Sequence, residues 1–198
     1  MLRGFLLAVV LAVAASGCFG GDGGDEGPSV SVQNGEALVL QQEDVGSEFT
    51  LFDRGEQRRA DFSPPRDDPN RFGRQGGWKA RFSRTGNRET EGALVIASLA
   101  DLFDSADDAG EDFALYKTSL DQFTVAGGRP VPVSELGDEA YAVRYRQGRG
   151  PNAIHHYAIA WRDGAVTASV TANGFRLTWP QALALARAQQ DRISSAAE

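Results

Sequence analysis

The clearest alternation of apolar and polar side chains begins at Trp78. Trp78, Ala80 and Phe82 fall on one side and Lys79, Arg81 and Ser83 on the other, the period-two pattern of a half-buried strand. Gly86-Asn87 follows as a turn. Gly92 to Ala100 is short and apolar on both faces, which predicts a central strand covered on two sides. From Ser105 to Phe123 the period changes. Ala109, Phe113, Tyr116, Leu120 and Phe123 recur at steps of three and four, giving one helical stripe. Ser105 is placed to cap this helix, and Asp107 and Asp108 sit in its first turn, where the helix dipole favours negative charge. Gly127-Gly128 and Pro130 then force a loop.

Glu139 to Gln147 alternates again, as a further strand. Residues 153 to 174 read as a hairpin turning at Asp163-Gly164. That register pairs Trp161 with Val166, Ile159 with Ala168, Tyr157 with Val170 and His155 with Ala172. This face is bulky, whereas Ala158, Ala160, Thr167, Ser169 and Thr171, joined by His156, leave the other small-sided. A helix can approach a small-sided surface closely. Thr178-Trp179-Pro180-Gln181 announces the last helix through a capping box with Pro in the first turn, and Ala182, Leu185, Ala186, Gln189 and Ile193 share one face. Upstream, Glu36 to Val45 reads as a short strand running into a helical turn that stops at Gly46. Residues 53 to 77, with Pro64, Pro65, Pro69 and glycines at 73, 76 and 77, read as a long irregular segment. The order of elements predicts an α+β fold, an antiparallel sheet flanked by helices.

The N-terminus has a different character. Arg3 precedes an apolar run from Phe5 to Ala15, too short to span a bilayer, and Ala15-Ser16-Gly17 leads into Cys18, the only cysteine. Bacterial lipoprotein signals end this way, with small residues before the cut and a thiol that receives lipid; Ala15 stands where leucine is commonest. An ordinary secretory signal cut near Ala15 would instead leave a lone thiol in an oxidising compartment. Phe19 to Pro28 is rich in glycine and acids, a flexible tether. The expected organisation is a signal peptide over 1–17, a tether over 18–34 and a single globular α+β domain over 35–198. Cys18 is the expected lipid attachment, placing the protein on the extracytoplasmic face of the cell membrane. A domain of roughly 160–170 residues buries enough surface to fold without disulfide or metal.

Net charge is −7, but the charges are blocked. Asp53 to Arg88 holds ten basic and five acidic residues; Glu89 to Glu139 holds twelve acidic and two basic. Overall acidity and an export signal argue against a nucleic-acid partner. The basic block is either a solvated loop face or a surface for an anionic envelope ligand or protein partner. On the second reading Arg58, Arg59, Arg71 and Arg74 are the candidate ligand-binding residues, because long loops carry function more often than the scaffold does.

The residues for catalysis are poorly supplied. The only histidines, His155 and His156, are neighbours on a predicted strand and point to opposite faces; one core and one surface histidine is the expectation, with no shared metal. The sequence has no Gly-x-Ser-x-Gly elbow, no Cys-His pair and no phosphate-binding glycine motif leading into a helix. No catalytic residue, metal or cofactor is expected.

Four short patterns carry a resemblance. Gln41-Gln42-Glu43-Asp44-Val45-Gly46 stands near the start of the domain, and Val133-Ser134-Glu135-Leu136-Gly137-Asp138-Glu139-Ala140 in its middle. Ala160-Trp161-Arg162-Asp163-Gly164 then precedes a closing helix ending in Ala186-Arg187-Ala188-Gln189-Gln190-Asp191-Arg192-Ile193. From about Leu38 to Ile193 the chain resembles actinobacterial exported lipoproteins and extracellular sensor domains of receptor kinases with a PsbP-like fold. The resemblance implies an α/β/α sandwich without catalytic residues. The function expected from both lines is a membrane-anchored, non-catalytic domain that binds or senses a ligand or partner; the alternative is a cell-envelope hydrolase acting on glycan or lipid.

Overall fold

The computed structural model of the chain describes residues 32–68 and 70–197. The expected signal peptide, Cys18 and the tether up to residue 31 lie outside the described residues. Seven strands form one sheet in the order β1-β2-β3-β7-β6-β5-β4, with every neighbouring pair antiparallel. They are β1 (Thr50–Glu56), β2 (Arg74–Ser83), β3 (Val95–Phe103), β4 (Arg129–Pro130), β5 (Glu139–Gln147), β6 (Ile154–Asp163) and β7 (Val166–Gly174). The helices are α1 (Gln42–Val45), α2 (Ala106–Val125) and α3 (Trp179–Ala196). After β3 the chain crosses through α2 to the far edge and returns strand by strand until β7 pairs with β3. This is the α+β architecture expected from the sequence.

The two faces of the sheet are built differently. Trp78, Ala80, Phe82, Ile96, Ala100, Ile159, Trp161, Ala168 and Val170 point one way and form the main core with Ala182, Ala186 and Ile193 of α3. Each large side chain buried there contributes about 1.5–3 kcal/mol. The other face is small-sided, and α2 lies on it: Phe113, Tyr116 and Leu120 pack on Val143, Ala158 and Ala160. Ser105 caps α2 by accepting from the Asp108 N–H, and the Thr178–Gln181 capping box starts α3. The predicted stripe of α2 is buried as far as Leu120. Phe123, its last member, is half-exposed and stacks on Tyr145 at 4.9 Å.

Four expectations are corrected. Leu38-Val39-Leu40 is not a strand: a 3-10 helix over Val32–Leu38 leads to a short extended stretch and then α1, with all three side chains buried. Leu40 N–H donates to the Ser98 hydroxyl instead of a strand partner. This 3-10 helix also takes in residues 32–34, assigned from sequence to the tether. Thr50–Glu56 is an edge strand missed from sequence, since most of its side chains are exposed and no apolar face marks it. The ends of the 53–77 segment therefore belong to β1 and β2, leaving 57–73 irregular. The hairpin turns at Gly164-Ala165, not Asp163-Gly164. Asp163 pairs with Val166, Trp161 with Ala168 and Ile159 with Val170. Gly164 has φ 53°, the conformation that two-residue hairpin loops reserve for glycine. Each partner moves by two residues, so the face assignments survive. Finally, His155 and His156 are both half-buried, on opposite faces, and neither is a core residue.

Trp161 has no solvent exposure, and its indole N–H has no acceptor among the described residues. Trp161→Ala is expected to cost about 3–5 kcal/mol in denaturant unfolding. Trp161→Phe should cost less, because it keeps a ring in the core and removes an unsatisfied donor. A loss below about 1 kcal/mol for the alanine variant would mean that the ring is not packed.

Candidate functional site

The four arginines singled out in 53–77 do not act alike. Arg58 and Arg59 are exposed at a 3-10 turn following β1, and Arg71 is exposed with its guanidinium 5.1 Å from the Phe72 ring. Arg74 is half-buried, and its Nε donates to Asp101 Oδ1 at 2.6 Å. Sequence reasoning missed the residue that organises the segment, Arg66. Its Nε and Nη2 donate to the two Asp112 oxygens at 2.8 and 2.9 Å, and Nη2 also reaches Asp101 Oδ2 at 3.0 Å. The guanidinium lies 3.6 Å from the centre of the Tyr116 ring, a cation–π contact. Gln57 donates to Asp101 Oδ1, and Thr167 to Asp112 Oδ2. Asp101 is wholly buried, and the side chains of Arg66 and Asp112 are each 10% exposed.

A signal for this network was present. Asp101 is the one charge in an otherwise apolar strand, and Asp112 sits beside Ala109, Phe113 and Tyr116 on the buried stripe of α2. A charge on an apolar face needs a buried partner. Burial pushes the Asp112 carboxyl up from its usual range, against the pull of Arg66 and the Thr167 hydroxyl. Burial works against charge on Arg66, but Tyr116, Asp101 and Asp112 outweigh it and hold the guanidinium protonated.

A second ionic group ties the same segment to β1 and β2. Lys79 donates to both Asp61 oxygens at 3.0 and 2.9 Å, and Arg81 bridges Asp61 and Asp53 at 2.9 and 2.7 Å. Burial alone would raise the Asp61 carboxyl, yet the Arg58 backbone N–H, Lys79 and Arg81 hold it below the usual range. The irregular segment is thus pinned to the sheet by ions through Asp61, Arg66 and Arg74, while Arg58, Arg59 and Arg71 face solvent.

Among the described residues, three of the surface cavities differ in the charges that line them. One of about 420 Å³ lies between Asn34, Asp44 and the end of α3, where Arg192 pairs with Asp44 and Glu43. One of about 630 Å³ lies by Arg88, Glu89 and Phe175, where Arg88 and Arg176 meet Glu89. The third, of about 380 Å³, lies at the β4–β5–β6 edge and is lined by Arg129, Arg144, Arg146, His155 and Tyr157 with no carboxylate. Register puts Arg129 opposite Arg144, and Arg146 opposite His155, on the α3 side of the sheet. Among the described residues, Arg129 and Arg144 make no ion pair, and no group of three or more His, Cys, Asp or Glu residues is placed to hold a metal.

No protein-family model matches the chain, and no curated protein matches it in sequence. Among solved structures it is similar to the extracellular domain of PknH from Mycobacterium tuberculosis, at 16% identity and a TM-score of 0.60, over 85% of this chain and all of that one. The two chains share a fold. The likeness is one of architecture and transfers no site residue.

Two outcomes test the ionic scaffold. Asp101→Ala removes the buried acid that Arg66 and Arg74 share and should destabilise the protein by about 3–5 kcal/mol in chemical denaturation. The pH dependence has a sign that can be worked out. Asp61 is lowered on folding, so its contribution is complete above the unfolded carboxyl value near 4 and is lost as pH falls through the lower folded one. Asp112 is raised on folding, so its contribution favours low pH and fades as pH rises through the raised value. Asp61→Asn is therefore expected to flatten the loss of stability on acidification from about pH 5 to 3, read by thermal melts across that range. An unchanged slope would show that Asp61 does not set it.

Proposed function

We propose that the chain is a lipid-tethered extracytoplasmic domain of the PsbP-like kind that binds or senses an anionic envelope ligand or protein partner and performs no catalysis of its own. The observation that carries this reading is the fate of the buried acids. Asp101 and Asp112 are locked by Arg66, Arg74, Gln57 and Thr167 beneath α2 and the 57–73 segment. A general acid or base must reach a substrate proton, and these carboxylates are engaged in holding layers together. The shared fold with an extracellular domain supports the extracytoplasmic address. No helix among the described residues is long and apolar enough to cross a membrane. Attachment would then rest on Cys18, where two or more acyl chains give stable anchoring and a single chain does not.

Membrane fractionation and surface proteolysis of intact cells test the address together. The wild-type protein should partition with membranes and be cleaved by added protease, and Cys18→Ser should move to the soluble fraction. Unchanged membrane partition of Cys18→Ser would remove the lipid anchor. Reproducible turnover of a glycan or lipid by the purified protein, lost on changing one side chain, would replace the binding reading with the hydrolase.

A further inference from the structure

We propose that the cavity at the β4–β5–β6 edge binds a phosphomonoester. The proposal rests on the binding reading above and supplies its ligand class and its location. Arg129 and Arg144 are directly opposite across one strand pair, and Arg146 and His155 across the next. Like charges placed as Arg129 and Arg144 are repel and destabilise a sheet unless an anion lies between them. Arg144 and Arg146 are two residues apart on one strand, so their side chains share a face about 7 Å apart along it. Register and alternation thus bring the three arginines and His155 to the α3 side of the sheet.

The lining contains no carboxylate, in a chain whose net charge is −7. The other two cavities differ in kind, since their arginines are matched by Glu43, Asp44 and Glu89. Among the described residues, the side chains of Arg129 and Arg144 have no hydrogen-bond or ion-pair partner. Arg146 donates one bond, 2.9 Å to the Gly150 carbonyl, which orients its fork and leaves other donors free.

The ligand class follows from charge and size. Guanidinium forks match carboxylate and phosphate oxygens. A single carboxylate would neutralise one of three arginines, whereas a phosphomonoester carries about −1.5 to −2 at neutral pH and has three acceptor oxygens. The cavity, about 380 Å³, stands at the small end of ligand pockets and exceeds a bare phosphate. Tyr157 supplies a wall for the carbon skeleton, held by Trp179 at a ring separation of 5.8 Å. The same group is offered by a free organic phosphate and by the headgroup of phosphatidic acid.

The test uses the full chain with Cys18→Ser, so that no acyl chain delivers it to lipid. Calorimetric titration with glycerol 3-phosphate and with inorganic phosphate reads the free ligand. Co-sedimentation with phosphatidylcholine vesicles, with and without phosphatidic acid, reads the lipid. Saturable binding is expected in at least one arm, weakened about tenfold or more by Arg144→Gln and abolished by Arg129→Gln with Arg144→Gln. Arg58→Gln with Arg59→Gln should leave it unchanged. Without ligand, Arg144→Gln should melt no lower than wild type, because it relieves repulsion; this separates lost binding from lost folding. Binding confined to one arm identifies the source. No saturable response in either arm, or wild-type affinity in Arg144→Gln, would overturn the site. Loss in the Arg58/Arg59 variant alone would overturn the location and keep a binding protein. Release of inorganic phosphate from glycerol 3-phosphate, lost in Arg144→Gln, would keep the site and overturn the non-catalytic reading.

Discussion

A single buried carboxylate, Asp101, governs one whole side of the molecule. An acid with no solvent exposure is tolerated only where hydrogen-bond partners surround it. Arg74 comes to it from the start of β2, Arg66 from the irregular segment, and Gln57 from the end of β1. Opposite Asp101 on β2 stands Gly77, where any Cβ would overlap the carboxylate. Arg66 then passes the constraint on to Asp112 of α2. One acid therefore fixes a sheet position, a helix and a segment with little regular structure. The small-sided face divides accordingly into an apolar part under α2 and an ionic part under residues 57–73.

The α3 face follows another rule. It is a continuous apolar core with one buried polar joint, in which the Ser98 hydroxyl donates to Gln189 Oε1 at 2.7 Å and accepts from Leu40 N–H, while Gln189 Nε2 donates to the Leu99 carbonyl. These bonds fix the sliding position of α3 and of the N-terminal segment against β3, which apolar contacts alone leave free. Close approach is built in as well. Gly35 lies against the Trp78 indole, and a side chain there would occupy the space of the ring.

What the sequence revealed depended on whether an element has a face to show. The periods of β2, β5, α2 and α3 announced them, and β6 and β7, buried on both faces, were announced by a bulky face, a small-sided face and the glycine turn between them. β1 is an edge strand with mostly exposed side chains, so nothing periodic marks it. Leu38-Val39-Leu40 misled for the opposite reason: three buried neighbours read as a strand whether the backbone is extended or helical. The candidate site was less legible. The 57–73 segment has a basic composition, but composition does not say which arginines are used inside; Arg66 and Arg74 are, and Arg58, Arg59 and Arg71 stay exposed. The edge cavity was invisible because Arg129 and Arg144 are 15 positions apart and meet only through the pairing of β4 with β5.

Sheets do place charges on edge strands to prevent pairing with other chains, and that function has to be weighed for the arginines of β4 and β5. It explains β1 well. β1 is a seven-residue edge with a register irregularity after Leu51, and its Asp53 and Arg54 find partners in Arg81, Lys79 and Glu36. It does not explain the opposite edge. β4 is only two residues long and already offers little to a second chain. Arg144 lies on β5 where β4 pairs with it, and His155 on β6, both inside the edge, whereas Arg146 stands past the two residues of β5 that β4 covers. Edge protection also works with compensated charges, as β1 shows, whereas Arg129 and Arg144 stand opposite one another without an acid. Mutual repulsion in that arrangement lowers the stability of the unliganded sheet, and an anion in the cavity is the counter-charge that the geometry leaves open.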